Sequence, residues 1–388
     1  MADWAPPLPP AAFEARAAAL QARMGHDGID ALLLTTPADV FYVTGFLTRF
    51  WESPARPWFV LLPASGGPVA VIPAIGAPLM RRCHAEVIRT WPSPDPEDDG
   101  VSLLTETLAG LVSEGGRIGL PMGLETHLRA PLGTYHAVRD ALAPRRFVDA
   151  TATVQRVREI KSEPEVALIR EACAIAGRAI DRVPDIAGPG TPLDAVFRAF
   201  QSALLEEGAE WVSYVAGGAG PEGYADVISP ADARPLAPGD VLMLDTGAVR
   251  QGYFCDFDRN WSVGPPSDAV RRAQDALYAA TEAALDQLRP GMTARDAHAI
   301  LSETTRAHGA TPCEGRLGHG LGITLTEWPS FTPRDDTPLR ENMVLTLEPS
   351  AETVPGRILC HEENIVLRAD GPELLSPRAP ATLPELGT

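Results

Sequence analysis

The sequence predicts an α/β domain followed by a larger α+β domain. Three observations lead there. The chain has 388 residues, more than one ordinary core accommodates, so two domains are the default. Over residues 1–150, short apolar runs alternate with helix-periodic stretches, as α/β folds do. Over residues 151–388, hairpin-like extended runs are mixed with amphipathic helices, an α+β pattern.

In chain order, residues 11–25 have helical periodicity and end at a glycine. ALLLTT (31–36) and FYVTGF (41–46) read as short strands. WFVLLPA and VAVIPAI read as buried strands separated by a Ser-Gly-Gly turn. VIRTW, RIGLP and RRFVDA are further strands, with helices over 102–113 and 127–142 between them. Residues 152–181 form a long amphipathic helical stretch, broken near Ser162-Glu163-Pro164, and the domain boundary falls just before it. Residues 191–207, 267–288 and 293–308 read as helices, the last capped by Thr293. Extended runs occupy 210–216, 240–249, 252–263, 343–348 and 357–368.

Composition narrows the function classes. Hydrophobic residues make up 45% and charged residues 22%, ordinary for a globular protein. The formal charge is 33 − 51 = −18, which repels nucleic acid and anionic membranes. The five cysteines are scattered with no CxxC, which disfavours a disulfide framework or a thiolate zinc site. MADWAPPLPP has neither a basic nor an apolar leader segment. No apolar run reaches ~18 residues, so no membrane span is expected, and the compartment reads as cytoplasm.

The most informative segment is Val241–Val263 (VLMLDTGAVRQGYFCDFDRNWSV). If Arg250-Gln251 form the loop, Val249 faces Gly252 and the ladder sets Asp245 opposite Asp256, with Met243 and Asp258 the next pair. Opposed residues share a face, with Cβ atoms about 5 Å apart, and like charges there repel. The flanks are too apolar for a solvated face. One carboxylate is therefore protonated or a cation lies between them.

A second pair follows. MVLTLEPS and RILCHEENIVL bring Glu348 and Glu362 face to face if they pair around Val354-Pro355-Gly356. Glu363 then points to the opposite face. In GRLGHGLGITLTEWPS, His319 stands between Gly318 and Gly320, which permit close backbone approach. Four carboxylates and one imidazole suit Mn, Fe, Co or Zn at a bridged dinuclear centre.

These segments resemble the pita-bread family of aminopeptidase P, prolidase, methionine aminopeptidase and creatinase. The match lies in LDTG (Asp245), GYFCDFDR (Asp256), LGHGLG (His319), TLEPS (Glu348) and HEENIVL (Glu362). GIDALLLTTPADVFYVTGF is similar to the family's N-terminal domain, and REIKSEPEVALIREA to its linking segment. The resemblance implies a creatinase-type N-terminal domain and a pita-bread catalytic domain. It implies two divalent ions per subunit that activate a water, held by Asp245, Asp256, His319, Glu348 and Glu362. Glu348 would accept the water's proton, with His319 beside it in the catalytic set. A homodimer is also implied, in which the Thr48–Pro57 loop (TRFWESPARP) approaches the neighbour's site. Arg49, Trp51 and Arg56 are its candidates for binding a substrate carboxylate.

Two departures bear on the substrate. The aminopeptidases have a histidine ahead of the first Asp, where this chain has the region of Ile228. They have another seven residues after the ligand His, where this chain has Thr326 in TEWP. With Trp328, Thr326 marks an altered pocket wall. The resulting expectation is a metal-dependent hydrolase cleaving a C–N bond in a small amino-acid derivative or dipeptide. The alternatives are a metal-dependent lyase of the dimethylsulfoniopropionate-lyase type, a true Xaa-Pro aminopeptidase or dipeptidase, and a catalytically inert binding module.

Overall fold

A computed structural model describes residues 4–51 and 56–387. The chain divides into two compact units, Met1–Arg158 and Glu159–Thr388. The sequence reading cut before residue 151; the contacts divide after the Thr151–Arg158 helix. That helix belongs to the first unit because Thr153 donates to Asp27 at 2.7 Å and Arg158 pairs with Asp39 at 2.9 Å.

The first unit is built on a six-stranded sheet. Its strands are β1 (Ala31–Leu34), β2 (Phe59–Pro63), β3 (Val69–Pro73), β4 (Val87–Trp91), β5 (Arg117–Leu120) and β6 (Arg146–Asp149). The order is β4-β3-β2-β1-β5-β6, antiparallel at β1–β2 and β2–β3 and parallel elsewhere. The N-terminal helix runs Pro10–Asp27 and stops at Gly28 in the left-handed region, beyond the Gly25 that the periodicity suggested. FYVTGF is not a strand. Residues Pro37–Thr44 form a helix, because Pro37 starts it, the Thr36 hydroxyl caps the Asp39 N–H, and Gly45 ends it at φ 73°. Here local capping overrides the strand preference of Phe41, Tyr42 and Val43.

The second unit starts with a helix over Glu163–Asp181. Its capping box joins Ser162 to Glu165, with Pro164 in the first turn. β7 (Trp211–Pro221), β8 (Asp240–Arg250), β9 (Tyr253–Phe254) and β10 (Phe257–Val263) form the first sheet, with the C-terminal Glu385–Leu386 strand on its edge. After the helices Asp268–Gln287 and Ala294–Ala307 come β11 (Thr311–Pro312), β12 (His319–Gly320), β13 (Glu327–Ser330) and β14 (Val344–Leu347). Then follow β15 (Ser350–Val354), β16 (Arg357–Cys360), β17 (Glu363–Arg368) and β18 (Gly371–Leu374). They build a β13-β12-β14-β17-β18 sheet and a small β11-β15-β16 sheet. Leu301, Leu317, Phe331, Leu345, Leu347 and Ile365 fill the core between the former and the two helices.

The two hairpins set the site. In the first, Arg250 pairs with Tyr253, so the turn is Gln251-Gly252 and not Arg250-Gln251. Both turn residues have positive φ, 49° and 87°, the geometry that a tight hairpin demands and that glycine supplies. The ladder is therefore shifted by two residues from the expected one. Asp245 faces Asp258, Met243 faces Asn260, and Asp256 falls in the gap between β9 and β10. In the second hairpin, Ser350 pairs with Cys360, and further along Leu347 pairs with Glu363. Between those two pairs the same register sets Glu348 across from Glu362.

Among the described residues, no helix is long and apolar enough to cross a membrane.

Candidate metal centre

β8 delivers Asp245, the β9–β10 gap delivers Asp256, β12 delivers His319, and the β14–β17 end delivers Glu348 and Glu362. Their ligand atoms form two triads, each with all atoms within 4.8 Å of one another: Asp256, His319 and Glu348, and Asp245, Asp256 and Glu362. Asp256 belongs to both. The five candidates named from the sequence thus converge on one buried cluster. Asp245 and Asp256 meet diagonally across the hairpin rather than directly.

His319 is oriented by its neighbours. Its Nδ1 lies 2.8 Å from the Gly320 carbonyl, to which it donates, which leaves Nε2 as the inward atom. Nε2 stands 2.8 Å from Glu348 Oε1 and 3.1 Å from Asp256 Oδ2. The flanking glycines let β12 press against backbone on both sides. A Cβ at Gly318 would collide with the Thr346 carbonyl, and one at Gly320 with the Trp328 carbonyl. Gly320→Ala is expected to destabilise the fold by about 2–3 kcal/mol, since backbone cannot step aside as a side chain does. Urea denaturation checks it; an unchanged midpoint would contradict the close approach.

The electrostatics are those of too many acids in one dry place. Burial, then the neighbouring Asp256, hold the Asp245 carboxyl well above the carboxylate range. Burial likewise raises Asp256 against the pull of His319. Glu362 is lifted well up by burial and by Asp245. Glu348 goes the other way: burial would raise it, but His319 and the Thr346 hydroxyl, 2.6 Å away, keep it below the usual value. Burial disfavours charge on His319, yet Glu348 and Asp256 lift it to about 10.

The donor set fits divalent cations. Glu362 Oε2 is buried with no hydrogen-bond partner among the described residues, an acceptor that a cation would satisfy. The crowded carboxylates need positive charge beyond His319, and carboxylates with one imidazole suit first-row divalent ions.

Three residues that the sequence reading missed brace this cluster. The Tyr214 hydroxyl lies 3.1 Å from Asp245 Oδ1 and against Asp256 Oδ1. Asp258, given no role from sequence, accepts the Glu362 N–H at 2.7 Å, and burial pushes its carboxyl up to about 7. Arg259 donates to the Glu362 carbonyl at 2.7 Å and pairs with Glu363 at 3.0 Å. Glu363 therefore points away from the cluster and secures the strand from behind.

Thr326 and Trp328 are half-buried on the segment after His319. Between them Glu327 is buried, paired with Lys161 at 2.9 Å and accepting the Ile323 and Thr324 N–H groups. The remaining candidates lie in the first unit. Trp51 packs edge-on to Phe46 and tilts on Trp58, with Arg129 over its ring at 4.8 Å. Arg56 Nε is buried with no hydrogen-bond partner among the described residues. Arg49 is placed in the same segment, and 52–55 of that loop lie outside the described residues. Ile228 is 88% exposed.

Comparison with known proteins identifies the family of both units. Residues 16–160 match the Creatinase/Prolidase N-terminal domain, and residues 167–369 match Metallopeptidase family M24. The probable dipeptidase PepE of Mycobacterium tuberculosis is 30% identical over 358 residues, 91% of each chain. An Xaa-Pro dipeptidase of Pyrococcus horikoshii is 26% identical over 333 residues, 84% of this chain and 86% of that protein. The crystal structure of dipeptidase PepE from Mycobacterium ulcerans superposes with a TM-score of 0.83 at 28% identity, covering 98% of this chain and 99% of that one. With a creatinase-type domain ahead of a pita-bread domain, and an acidic cluster built from both hairpins, the chain belongs to metallopeptidase family M24 and is a hydrolase.

Proposed function

We propose that this chain hydrolyses the C–N bond of a dipeptide or small amino-acid amide, using two divalent ions held by Asp245, Asp256, His319, Glu348 and Glu362. The observation that carries this is the pair of ligand triads sharing Asp256. Relatives named as dipeptidases support the substrate class. When bound, the ions supply Lewis acidity and bring a water's pKa toward neutrality.

The chain's own residues do the rest. Glu348 is kept as a carboxylate by His319 and Thr346, so it is free to accept the proton of the attacking water and pass it to the leaving amine. His319 Nε2 is fixed by the Nδ1 bond to Gly320 and holds its place beside Glu348. Thr326 and Trp328 form the wall near His319, without the extra imidazoles that the resemblance associates with Xaa-Pro aminopeptidases. Arg49, Trp51 and Arg56 bind the substrate carboxylate in this reading, which the match of a guanidinium fork to a carboxylate supports. A homodimer in the cytoplasm completes the proposal; the free state of all five cysteines suits a reducing compartment.

Chelation is expected to abolish turnover, and Mn, Co, Fe or Zn to restore it. A dipeptide and amino-acid amide panel, including Xaa-Pro dipeptides, read by mass spectrometry tests this. Hydrolysis incorporates labelled water oxygen into the product. Full activity in metal-free protein, or an alkene product without labelled oxygen, would refute the proposal.

A further inference from the structure

Asp256 occupies the gap between β9 and β10, where pairing with β8 is interrupted. Its peptide groups are satisfied from another strand. The Asp256 N–H donates to Asn364 Oδ1 at 2.9 Å, and the Asp256 carbonyl accepts from Asn364 Nδ2. One planar carboxamide thus offers an acceptor to the donor and a donor to the acceptor of a single residue, as a neighbouring strand would.

Asn364 is itself held firmly. It is fully buried on β17, opposite Thr346, and its N–H donates to Ser376 Oγ at 3.0 Å. Cys173 Sγ donates to the same Oδ1 at 3.3 Å, which fixes the amide orientation further. Asn364 also follows Glu362 by two residues, so the segment entering β17 supplies one ligand and braces another. A buried Asn is costly unless both halves of its amide are used, and here both are used on one backbone.

We infer that Asn364 is a positioning residue of the metal centre, setting where the Asp256 carboxylate stands. The inference rests on the reading of Asp256 as a metal ligand. Because Asp256 belongs to both triads, Asn364 acts on both ion positions, whereas Glu348 serves one.

Calorimetric titration of the chelator-treated, full-length chain with Mn²⁺ tests this, alongside thermal unfolding of the same ion-free proteins. Asn364→Leu removes both hydrogen bonds at similar volume. Asn364→Asp keeps the acceptor and loses the donor, and it decides the question should the leucine variant fail to fold. Weakening of about 10–100-fold at both Mn²⁺ sites is expected for Asn364→Leu, and a smaller loss at both for Asn364→Asp. Glu348→Gln, as the comparison, should weaken one site only. A merely structural role would lower the unfolding temperature and leave both affinities of folded Asn364→Asp at the wild-type value; that result, or weakening confined to one site, overturns the inference. A wild-type chain that takes up no Mn²⁺ would instead remove the ligand reading itself.

Discussion

Asp256→Ala is expected to lower turnover by at least about 10³-fold and to leave the purified chain with neither ion. The reason is topological. Asp245 and Glu362 contribute to one triad, His319 and Glu348 to the other, and Asp256 alone contributes to both. Asp245→Ala should therefore retain one ion and Asp256→Ala none, a difference that elemental analysis reads directly. An Asp256→Ala chain holding one ion at full occupancy would show that the triads do not share this ligand. Stability should move in the opposite sense. In ion-free protein the removed carboxylate was buried and repelled by its neighbours, so Asp245→Asn should unfold at a higher temperature than wild type. With ions present, that order reverses.

The second large effect is on folding. Glu327→Ala is expected to cost about 3–5 kcal/mol, because it leaves Lys161 charged and nearly solvent-free. The partners are 2% and 1% exposed, so solvent screens the pair little. The double replacement Lys161→Met with Glu327→Leu should recover much of that loss, since it removes both charges together. Recovery is incomplete because Glu327 also accepts the Ile323 and Thr324 N–H groups. Urea denaturation of the three chains settles it; a single mutant within about 1 kcal/mol of wild type would mean that the pair is not the keystone of this loop. The loop matters beyond stability, because it carries Thr326 and Trp328 past His319.

The ligand-bearing segments were legible because charged residues inside apolar strands demand a partner, and Glu348 and Glu362 show it. Their hairpin, counted around Val354-Pro355-Gly356, gives the register found at the glutamates, although Val354 itself pairs with Arg357 and the bulge between Glu352 and Val354 absorbs the one-residue difference. The first hairpin could not be counted as well. The choice between Arg250-Gln251 and Gln251-Gly252 turns on which residue must adopt positive φ, and placing Gly252 in the strand discarded that signal. The Pro37–Thr44 helix was hidden behind the apolar run of Phe41, Tyr42 and Val43, although Thr36, Pro37 and Gly45 marked both ends. Tyr214 left a weaker trace. It lies two residues from Ala216, which pairs with Asp245, but the bulge between Val212 and Val215 that aims its side chain has no sequence signature. Asn364 had one: a polar residue within the apolar end of EENIVL, whose partner only the tertiary fold reveals.

The second hairpin has a further property. Its irregularity lies near the tip, between Glu352 and Val354, whereas the pairs from Glu352–Ile358 inward to Leu347–Glu363 keep one register through two different sheets. The arm from Ser350 to the bulge and the return arm thus act as a ruler that measures Glu348 against Glu362. Lengthening the Pro355-Gly356 tip should be tolerated, because the bulge decouples it from the ruler. Deleting one residue from either arm turns one glutamate to the wrong face. Among homologous chains of differing length, insertions here should therefore collect at the tip, and changes within the arms should come in compensating pairs.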